Sequence, residues 1–406
     1  MKNYQEALQW MYGRLPMYQR VGKPAVKKGL KNIRAFLDLL KNPHEHLPVI
    51  HIAGTNGKGS VASMLASVLS ESGYKAGLYT SPHLKDFRER ITVNGKPVQM
   101  KVVTGFVRRH RDFIEKQGLS FFELTVAMAF YYFKKMRCDV AVVETGLGGR
   151  LDSTNVVRPI LSIITNIQKD HTDTLGESLV EIAREKAGII KPRIPVIAGF
   201  PSLEVKTVLE EIAQKNASQI LFVEQEAPSY YESDLKGPYQ FKNIAIVLAA
   251  VERLRMQGWH ISESTLRSGL LHVKENTGFR GRWELIGRNP TILVDTAHNP
   301  PAFETILRGL NKMVAKQKHF VLGFVKDKEV KEMVKMLPAE ARYYLSAPNV
   351  PRAMPIEDLA EIFKKYALPF ETFQKVSDAF EAAKEKADRD DLIMVTGSTF
   401  TVAEVL

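Results

Sequence analysis

The sequence predicts an α/β protein with two domains, each built on a mostly parallel sheet. At 406 residues the chain is too long for one ordinary hydrophobic core. Short apolar runs, such as residues 48–53, alternate with helical patterns such as residues 60–69, as in parallel α/β folds. The alternation restarts after residues 279–284. We therefore place the first domain at residues 1–280 and the second, smaller domain at residues 281–406.

Residues 54–60 read G-T-N-G-K-G-S and join the first predicted strand to a helix. Strand, glycine-rich turn and helix is the build of a phosphate-binding loop, because glycines let main-chain N–H groups approach an anion. The helix N-terminus adds partial positive charge and Lys58 a full one. Gly59 stands where a metal-binding hydroxyl normally follows the lysine, and the hydroxyl comes at Ser60, so we expect the metal ligands elsewhere. The predicted fold is thus a P-loop ATPase domain followed by a Rossmann-like α/β domain.

Charge and composition limit the possible partners. Lys and Arg number 57 against 45 Asp and Glu, an excess of 12 that suits acidic ligands but also nucleic acid. The densest basic cluster, residues 108–111, is short and lies on a predicted helix, so we interpret it as a solvated face. No apolar run reaches transmembrane length and the N-terminus lacks a signal-peptide core, which predicts a cytoplasmic protein. The single cysteine, Cys138, cannot form an internal disulfide.

Polar residues follow several predicted strands at the point where each ends. Ser81 and His83 come after the strand at residues 74–79, Glu144 ends the apolar run 139–143, and His171 follows residues 160–167. Ligands bind at the carboxyl ends of strands in open parallel sheets. A carboxylate placed like Glu144 is typical of an acid that holds Mg²⁺. A capping serine before a proline turn explains Ser81 equally well from spacing alone.

Two adjacent aromatic residues, Phe121 and Phe122, open the helix predicted at residues 124–135. Neighbouring side chains on a helix point in different directions, so one ring can enter the core while the other faces the sheet edge. The second ring could stack on a flat ligand.

Five motifs occur in one order along the chain. They are the loop at residues 54–60, T-S-P-H at 80–83, E-T-G-L-G-G-R-L-D-S-T-N at 144–155, E-K-A-G-I-I-K at 185–191 and D-T-A-H-N-P at 295–300. Together they resemble bacterial folylpolyglutamate synthase/dihydrofolate synthase, a branch of the Mur ligase superfamily, essentially from end to end. The resemblance implies a ligase that consumes ATP and joins a folate-type carboxylate to the amine of L-glutamate through an acyl phosphate.

The resemblance also implies roles for individual residues. Positions that match the nucleotide contacts are Thr55, Asn56, Gly57, Lys58, Gly59, Ser60, Asn243, Arg282 and Asp295. Positions that match magnesium ligands are Ser81, Glu144 and His171. Catalytic roles fall to Lys58, Lys186 and His298, of which Lys186 matches the carbamylated lysine of the family. Positions that match contacts to the acid substrate are Phe122, Glu123, Asp152 and Ser153, and residues 15–18 align weakly with the opposite wall of that site.

Two residues depart from the pattern of other branches. Thr296 stands where many members have glycine, and Tyr239 where many have histidine before a glutamine. The implied cofactors are ATP, one or two Mg²⁺ ions and K⁺. The implied substrates are dihydropteroate, reduced folates and L-glutamate. We expect the protein to be a monomer with no nucleic-acid or membrane partner.

Alternative functions share part of this pattern. A monofunctional folylpolyglutamate synthase would lack the dihydropteroate reaction. A Mur-type ligase for another acid normally carries an additional N-terminal domain, for which residues 1–53 are short. A P-loop kinase or motor shares Lys58 but needs no second α/β domain, and a basic nucleic-acid-binding protein needs neither Glu144 nor Lys186.

Overall fold

The chain forms two compact α/β domains in a computed structural model, which describes residues 1–17, 22, 29–326 and 328–406. The first domain comprises residues 1–234 and 240–279, and the second comprises residues 235–239 and 280–406. The second domain therefore includes a short excursion, residues 235–239, that lies within the range predicted for the first.

The first domain is organised around an eight-stranded sheet. Its strands are β1 (Val49–Ala53), β2 (Ala76–Tyr79), β3 (Ile91–Val93), β4 (Lys96–Pro97), β5 (Val140–Glu144), β6 (Leu161–Ile164), β7 (Val196–Gly199) and β8 (Ile220–Val223). They stand in the order β4-β3-β2-β5-β1-β6-β7-β8. Only β3 runs antiparallel to its neighbours, β2 and β4, which confirms the mostly parallel sheet. Strands β1 and β5 are buried at every position, as their continuous apolar runs predict.

Helices cover the sheet of the first domain. They are α1 (Tyr4–Arg14), α2 (Lys31–Leu39), α3 (Lys58–Glu71), α4 (Met100–Gln117), α5 (Phe121–Met136), α6 (Thr172–Leu175), α7 (Leu179–Lys186), α8 (Leu203–Lys215), α9 (Gln240–Met256), α10 (Glu263–Leu271) and α11 (Val273–Thr277). Residues 60–69 of α3 are all buried, so the helix that follows the glycine loop is held in the core. Among the described residues, no helix is both long and apolar enough to span a membrane.

The second domain has a six-stranded sheet of its own. Its strands are β9 (Glu284–Arg288), β10 (Thr291–Val294), β11 (Lys318–Leu322), β12 (Arg342–Ser346), β13 (Phe370–Phe373) and β14 (Leu392–Thr396). They stand in the order β13-β12-β11-β14-β10-β9, and only β9 is antiparallel to its neighbour. The helices are α12 (Pro300–Leu310), α13 (Val330–Lys335), α14 (Ile356–Lys365), α15 (Val376–Lys386) and α16 (Thr399–Val405). The edge strands β9 and β13 were not predicted, because they are partly exposed and lack a continuous apolar run.

Strand order decides which loops of the first domain meet. Strands β2, β5, β1 and β6 are consecutive neighbours and run parallel. Since parallel strands end at the same edge, the segments that follow them all emerge together. These segments hold Ser81, Glu144, the loop at residues 54–60 and the stretch that leads to His171.

Candidate active site

The loop at residues 54–60 has a backbone that only glycine adopts without strain at two points. Gly54 has φ of +151° and Gly57, which caps α3, has φ of +84°. A Cβ on Gly54 would come 1.8 Å from Oγ1 of Thr165, and one on Gly57 would come 2.5 Å from Oδ1 of Asn243. The absence of these side chains therefore lets the loop turn tightly over the N-terminus of α3.

Hydrogen bonds to the segment after β6 hold the loop in place. The N–H of Thr55 donates to the carbonyl of Asn166 at 3.0 Å, and the N–H of Asn56 donates to the side-chain Oδ1 of Asn166 at 2.9 Å. Oγ1 of Thr165 donates to the carbonyl of Asn56 at 2.6 Å, and the hydroxyl of Thr55 donates to the carbonyl of Gln168 at 3.0 Å. None of these loop-holding partners was predicted, since their roles depend on the pairing of β1 with β6.

Two lysines converge on one carbonyl oxygen of this loop. Nζ of Lys58 donates to the carbonyls of Gly54 at 3.0 Å and Thr55 at 3.1 Å, and Nζ of Lys186 donates to that of Gly54 at 2.8 Å. Lys186 is 4% exposed. Burial, with a smaller effect from the positive charge of Lys58, lowers the pKa of Lys186 to about 7, although the nearby Asp170 opposes that change. Much of Lys186 is therefore an uncharged amine near neutral pH.

The predicted metal ligands follow strands of this edge. The N–H of Ser81 donates to Oε2 of Glu144 at 3.1 Å, and a Cβ on Gly59 would lie 3.7 Å from the same oxygen, so Glu144 lies beside both Ser81 and the glycine loop. His171 has φ of +52°, and its Nε2 lies 3.8 Å from Oδ2 of Asp170. In the described part of the chain no three His, Cys, Asp or Glu side chains group as a metal site. The predicted set contains two such residues and the hydroxyl of Ser81.

The aromatic pair at the start of α5 divides as its positions predict. Phe121 is buried, with its ring centroid 5.6 Å from that of Tyr12. Phe122 is half-buried, and a Cβ on Gly146 would come 2.5 Å from its Cζ, so the ring lies against the turn that follows β5. Glu123 caps its own helix, because Oε2 accepts from the N–H of Ser120 at 2.7 Å. The weakly aligned wall includes Tyr18, which lies outside the described residues.

Asp152 is buried, and its carboxylate is surrounded by donors of its own turn. Oδ2 accepts from the N–H groups of Gly146 and Leu147, and Oδ1 accepts from the N–H and the hydroxyl of Thr154. Nε2 of His51 lies 2.8 Å from the same threonine hydroxyl. Since burial lowers the pKa of His51 to about 3, the neutral ring donates and the threonine relays the bond to Asp152. These donors fill the acceptor positions of the carboxylate, so Asp152 holds the turn beside Phe122 in shape. Ser153, next to it, is half-buried.

Asn243 lies against the glycine loop. Its Oδ1 is the atom that a side chain on Gly57 would meet, and its Nδ2 donates to Oε1 of Gln240 at 2.7 Å. Gln240 in turn lies 3.4 Å from the hydroxyl of Ser60, measured from Nε2 to Oγ. The first turn of α9 thus brings a predicted nucleotide contact next to the predicted phosphate loop.

The other predicted nucleotide contacts lie in the second domain. Asp295 follows β10 and is 3% exposed. Its Oδ2 accepts from the hydroxyl of Tyr239 at 2.5 Å and from the N–H of Trp283 at 2.8 Å, and its Oδ1 accepts from the N–H of Ala297 at 2.9 Å. Burial raises the pKa of Asp295, while the positive charge of Arg282 opposes the rise. Asp295 is therefore a buried acceptor in a donor-lined turn.

Tyr239 and Thr296 both contact predicted site residues. Tyr239 is the hydroxyl donor to Asp295, and Thr296 accepts a hydrogen bond from Nη1 of Arg282. Nδ1 of His298 lies 2.9 Å from the carbonyl of Thr296 and must donate to it, because a carbonyl only accepts. In the neutral ring of His298 the proton is therefore on Nδ1.

Family models match both domains. The Mur ligase middle domain matches residues 52–252, and the Mur ligase glutamate ligase domain matches residues 281–399.

Similar proteins share one activity name, folylpolyglutamate synthase. The chain is 32% identical to the dihydrofolate synthase/folylpolyglutamate synthase of Bacillus subtilis, over 99% of this chain and 98% of that protein. It is 34% identical to a probable bifunctional folylpolyglutamate synthase/dihydropteroate synthase of Haloferax volcanii, over 93% of this chain but only 48% of that protein. The chain therefore spans about half the length of the archaeal relative and nearly all of the bacterial one.

Solved structures with ligands have the same fold. Escherichia coli FolC in complex with DHPP and ADP superposes with a TM-score of 0.86 at 28% identity, over 100% of this chain and 97% of that one. A bifunctional folylpolyglutamate synthase/dihydrofolate synthase with Mn, AMPPNP and L-glutamate bound superposes with a TM-score of 0.84 at 25% identity. The match covers 100% of this chain and 97% of that one.

Proposed function

Because the chain belongs to the dihydrofolate synthase/folylpolyglutamate synthase family of ATP-dependent Mur ligases, we propose that it joins L-glutamate to dihydropteroate and to reduced folates. The observation that carries the proposal is the convergence of Lys58 and Lys186 on the carbonyl of Gly54, inside a glycine loop at a helix N-terminus. A phosphate group is the ligand that such a concentration of donors and positive charge favours.

The reaction must first make the acid reactive, because a carboxylate is a poor electrophile. A carboxylate oxygen of the acid attacks the γ-phosphorus of ATP, the bond to the β-phosphate oxygen breaks, and ADP leaves. The amine of glutamate then attacks the acyl carbon, phosphate leaves with the former carboxylate oxygen, and the nitrogen loses a proton. Positioning and stabilisation of negative charge are the main contributions a protein makes to phosphoryl transfer.

The glycine loop supplies these contributions for the phosphates. Its main-chain N–H groups and the N-terminus of α3 provide partial positive charge, and Lys58 provides a full charge at the loop. Side chains at Gly54 or Gly57 would fill the turn, so the space above it depends on glycine. We assign residues 55–60 and Asn243 to the phosphate end of ATP.

The residues beside the loop fit a divalent cation. Glu144 offers a buried carboxylate within reach of the loop and Ser81 offers a hydroxyl, and oxygen ligands of this kind suit Mg²⁺. His171 adds an imidazole nitrogen. A bound Mg²⁺ would neutralise charge on the transferred phosphoryl group. We assign these three residues as ligands of one or two Mg²⁺ ions. We also expect the protein to bind K⁺.

The turn after β5 and the start of α5 fit a flat acid. The ring of Phe122 is half-buried against Gly146, and Asp152 braces the same turn through its four hydrogen bonds. We assign Phe122, Glu123, Asp152 and Ser153 to the acid-binding region. Phe122 contributes the stacking face, and Glu123 and Asp152 hold its surroundings.

In the second domain, Asp295 and Arg282 are assigned to the nucleotide and His298 to the reaction. Three hydrogen bonds leave Asp295 with capacity for one more donor, such as a sugar hydroxyl. His298 donates through Nδ1 to the main chain, which orients its ring.

The test is an ATP hydrolysis assay with product masses. ADP release should require glutamate together with either dihydropteroate or a reduced folate, and each product should be heavier by one or more glutamate residues. If the protein extends reduced folates but does not consume dihydropteroate, it is a monofunctional folylpolyglutamate synthase. Activity with neither acid would point to a Mur-type ligase for another acid.

A further inference from the structure

A histidine outside the assigned site is held by a buried arginine at the same sheet edge. Nε of Arg90 donates to Nδ1 of His83 at 2.7 Å. A guanidinium only donates hydrogen bonds and stays charged in proteins, so Nδ1 of His83 must be the acceptor. The ring proton of the neutral imidazole is therefore on Nε2.

Among the residues that the structure describes, no carboxylate pairs directly with the positive charge of Arg90. The residue is 1% exposed, and its Nη2 is buried with no hydrogen-bond partner among the described residues. Its guanidinium carbon lies 5.2 Å from the ring centroid of Phe121. Within the described chain no Asp or Glu forms an ion pair with it, although Glu144 is near enough to interact electrostatically. A buried charge without a paired counter-charge is costly, which favours an anion arriving close by.

Arg90 itself is too deeply buried to touch a ligand, whereas His83 is partly exposed. The ring of His83 packs near Tyr12 and Phe87, each with a centroid separation of 6.4 Å. Its Nε2 makes no hydrogen bond within the described residues, yet it is not among the buried atoms that lack partners. The Nε2–H of His83 is therefore an oriented donor that solvent or a ligand can reach.

The surroundings indicate which anion would arrive. His83 comes two residues after Ser81, whose N–H contacts Glu144 beside the phosphate loop. An acid that attacks a phosphoryl group must bring its carboxylate to this edge. The aromatic rings of Tyr12 and Phe87 also lie close to His83, as a flat aromatic acid requires.

We propose that His83 donates its Nε2–H to a carboxylate oxygen of the acid substrate, and that Arg90 is the positioning residue that selects this tautomer. The guanidinium of Arg90 donates to Nδ1 and polarises the imidazole ring, which makes the Nε2–H of His83 a stronger hydrogen-bond donor. The inference rests on the proposed function and adds a substrate contact to it.

Two substitutions at His83 separate a donor from a filler of space. His83→Gln keeps an amide N–H at similar reach, and His83→Leu removes the donor while keeping bulk. We expect His83→Leu to raise the Michaelis constant for dihydropteroate by about 10- to 100-fold, and His83→Gln to recover most of that loss. The Michaelis constants for ATP and glutamate should change little. His46→Leu, at an exposed histidine, is the matched control.

The outcomes are separable. If only the Michaelis constant for glutamate or only that for ATP rises, the assignment of His83 to the acid is overturned. If the Michaelis constants are the same in all variants, His83 does not contact a substrate. If the wild-type protein shows no acid-dependent ATP hydrolysis, the proposed function fails before His83 is tested.

The positioning role of Arg90 has a spectroscopic test. Nitrogen-15 NMR of the full chain at neutral pH should show His83 with a proton on Nε2 and none on Nδ1. Arg90→Gln should mix the tautomers and reproduce part of the loss seen in His83→Leu. A proton on Nδ1 in the wild-type protein would overturn the inference, whether or not the Arg90 variant folds.

Discussion

The glycine loop at residues 54–60 and the Asp295 turn at residues 295–299 both follow a buried parallel strand, yet they present opposite charges. The loop gathers the side-chain nitrogens of Lys58 and Lys186 at one carbonyl oxygen, whereas three donors surround the carboxylate of Asp295 in the turn. A cationic glycine turn suits phosphates, and a buried acceptor suits a hydroxyl or amino group. We therefore expect changes at Glu144 and Lys186, beside the loop, to lower turnover, and changes at Asp295 or its hydrogen-bond donors to alter nucleotide affinity.

The largest effect is expected at Glu144. Glu144→Gln should fold normally but reduce turnover by roughly 10³-fold, because the carboxylate assigned to Mg²⁺ is lost while the shape is kept. Steady-state ATP hydrolysis with both substrates measures this, with the exposed Glu115→Gln as the control. Near-normal turnover at saturating Mg²⁺ would contradict the assignment.

The next effect is expected at Lys186. Its low pKa provides the uncharged amine that can take up CO₂ to form a carbamate, and the uncharged fraction increases as pH rises through about 7. Lys186→Ala should lose about 10²-fold in turnover and regain part of it with added short carboxylic acids. A fully active variant would show that the convergence of two lysines is not needed for turnover.

A moderate effect is expected at Phe122. Loss of stacking and ring burial, roughly 1–3 kcal/mol, should raise the Michaelis constant of Phe122→Ala for dihydropteroate by about 5- to 100-fold. Phe121→Leu is the matched control. Since Phe121 is in the core, its substitution should lower the melting temperature instead. The reverse pattern would mean that the two rings were assigned to the wrong roles.

The smallest effect is expected at Tyr239. Tyr239→Phe removes one donor from Asp295 and should raise the Michaelis constant for ATP by about 3- to 20-fold with little change in turnover. Tyr239→His, which offers an imidazole N–H donor in place of the phenol, should recover part of the affinity. A loss of turnover as large as that of Glu144→Gln would remove the distinction between loop and turn.

Much of the candidate site can be predicted from the sequence, because the ends of the buried strands can be predicted. Apolar runs mark β1 and β5, and the parallel pairing of β5 with β2 brings Ser81 and Glu144 together. Contacts set by tertiary structure are not accessible in this way. The pairing of Tyr239 with Asp295 joins segments that are far apart in the chain and depends on the excursion at residues 235–239.

Carboxylates show a second limit of sequence reasoning. Asp152 and Asp295 are both predicted ligand contacts, but four donors surround Asp152 and three surround Asp295. Residue type and spacing do not reveal how many acceptor positions the protein itself fills. The same applies to Glu123, whose Oε2 caps its own helix.

Activation of the acid by phosphoryl transfer beside the glycine loop has a direct isotopic test. With ¹⁸O in both carboxylate oxygens of dihydropteroate, one labelled oxygen should appear in each inorganic phosphate released, because that oxygen bridges carbon and phosphorus before the amine attacks. Mass spectrometry of the phosphate measures the transfer. Phosphate that carries no ¹⁸O, in an assay that still yields the glutamate product, would contradict the account.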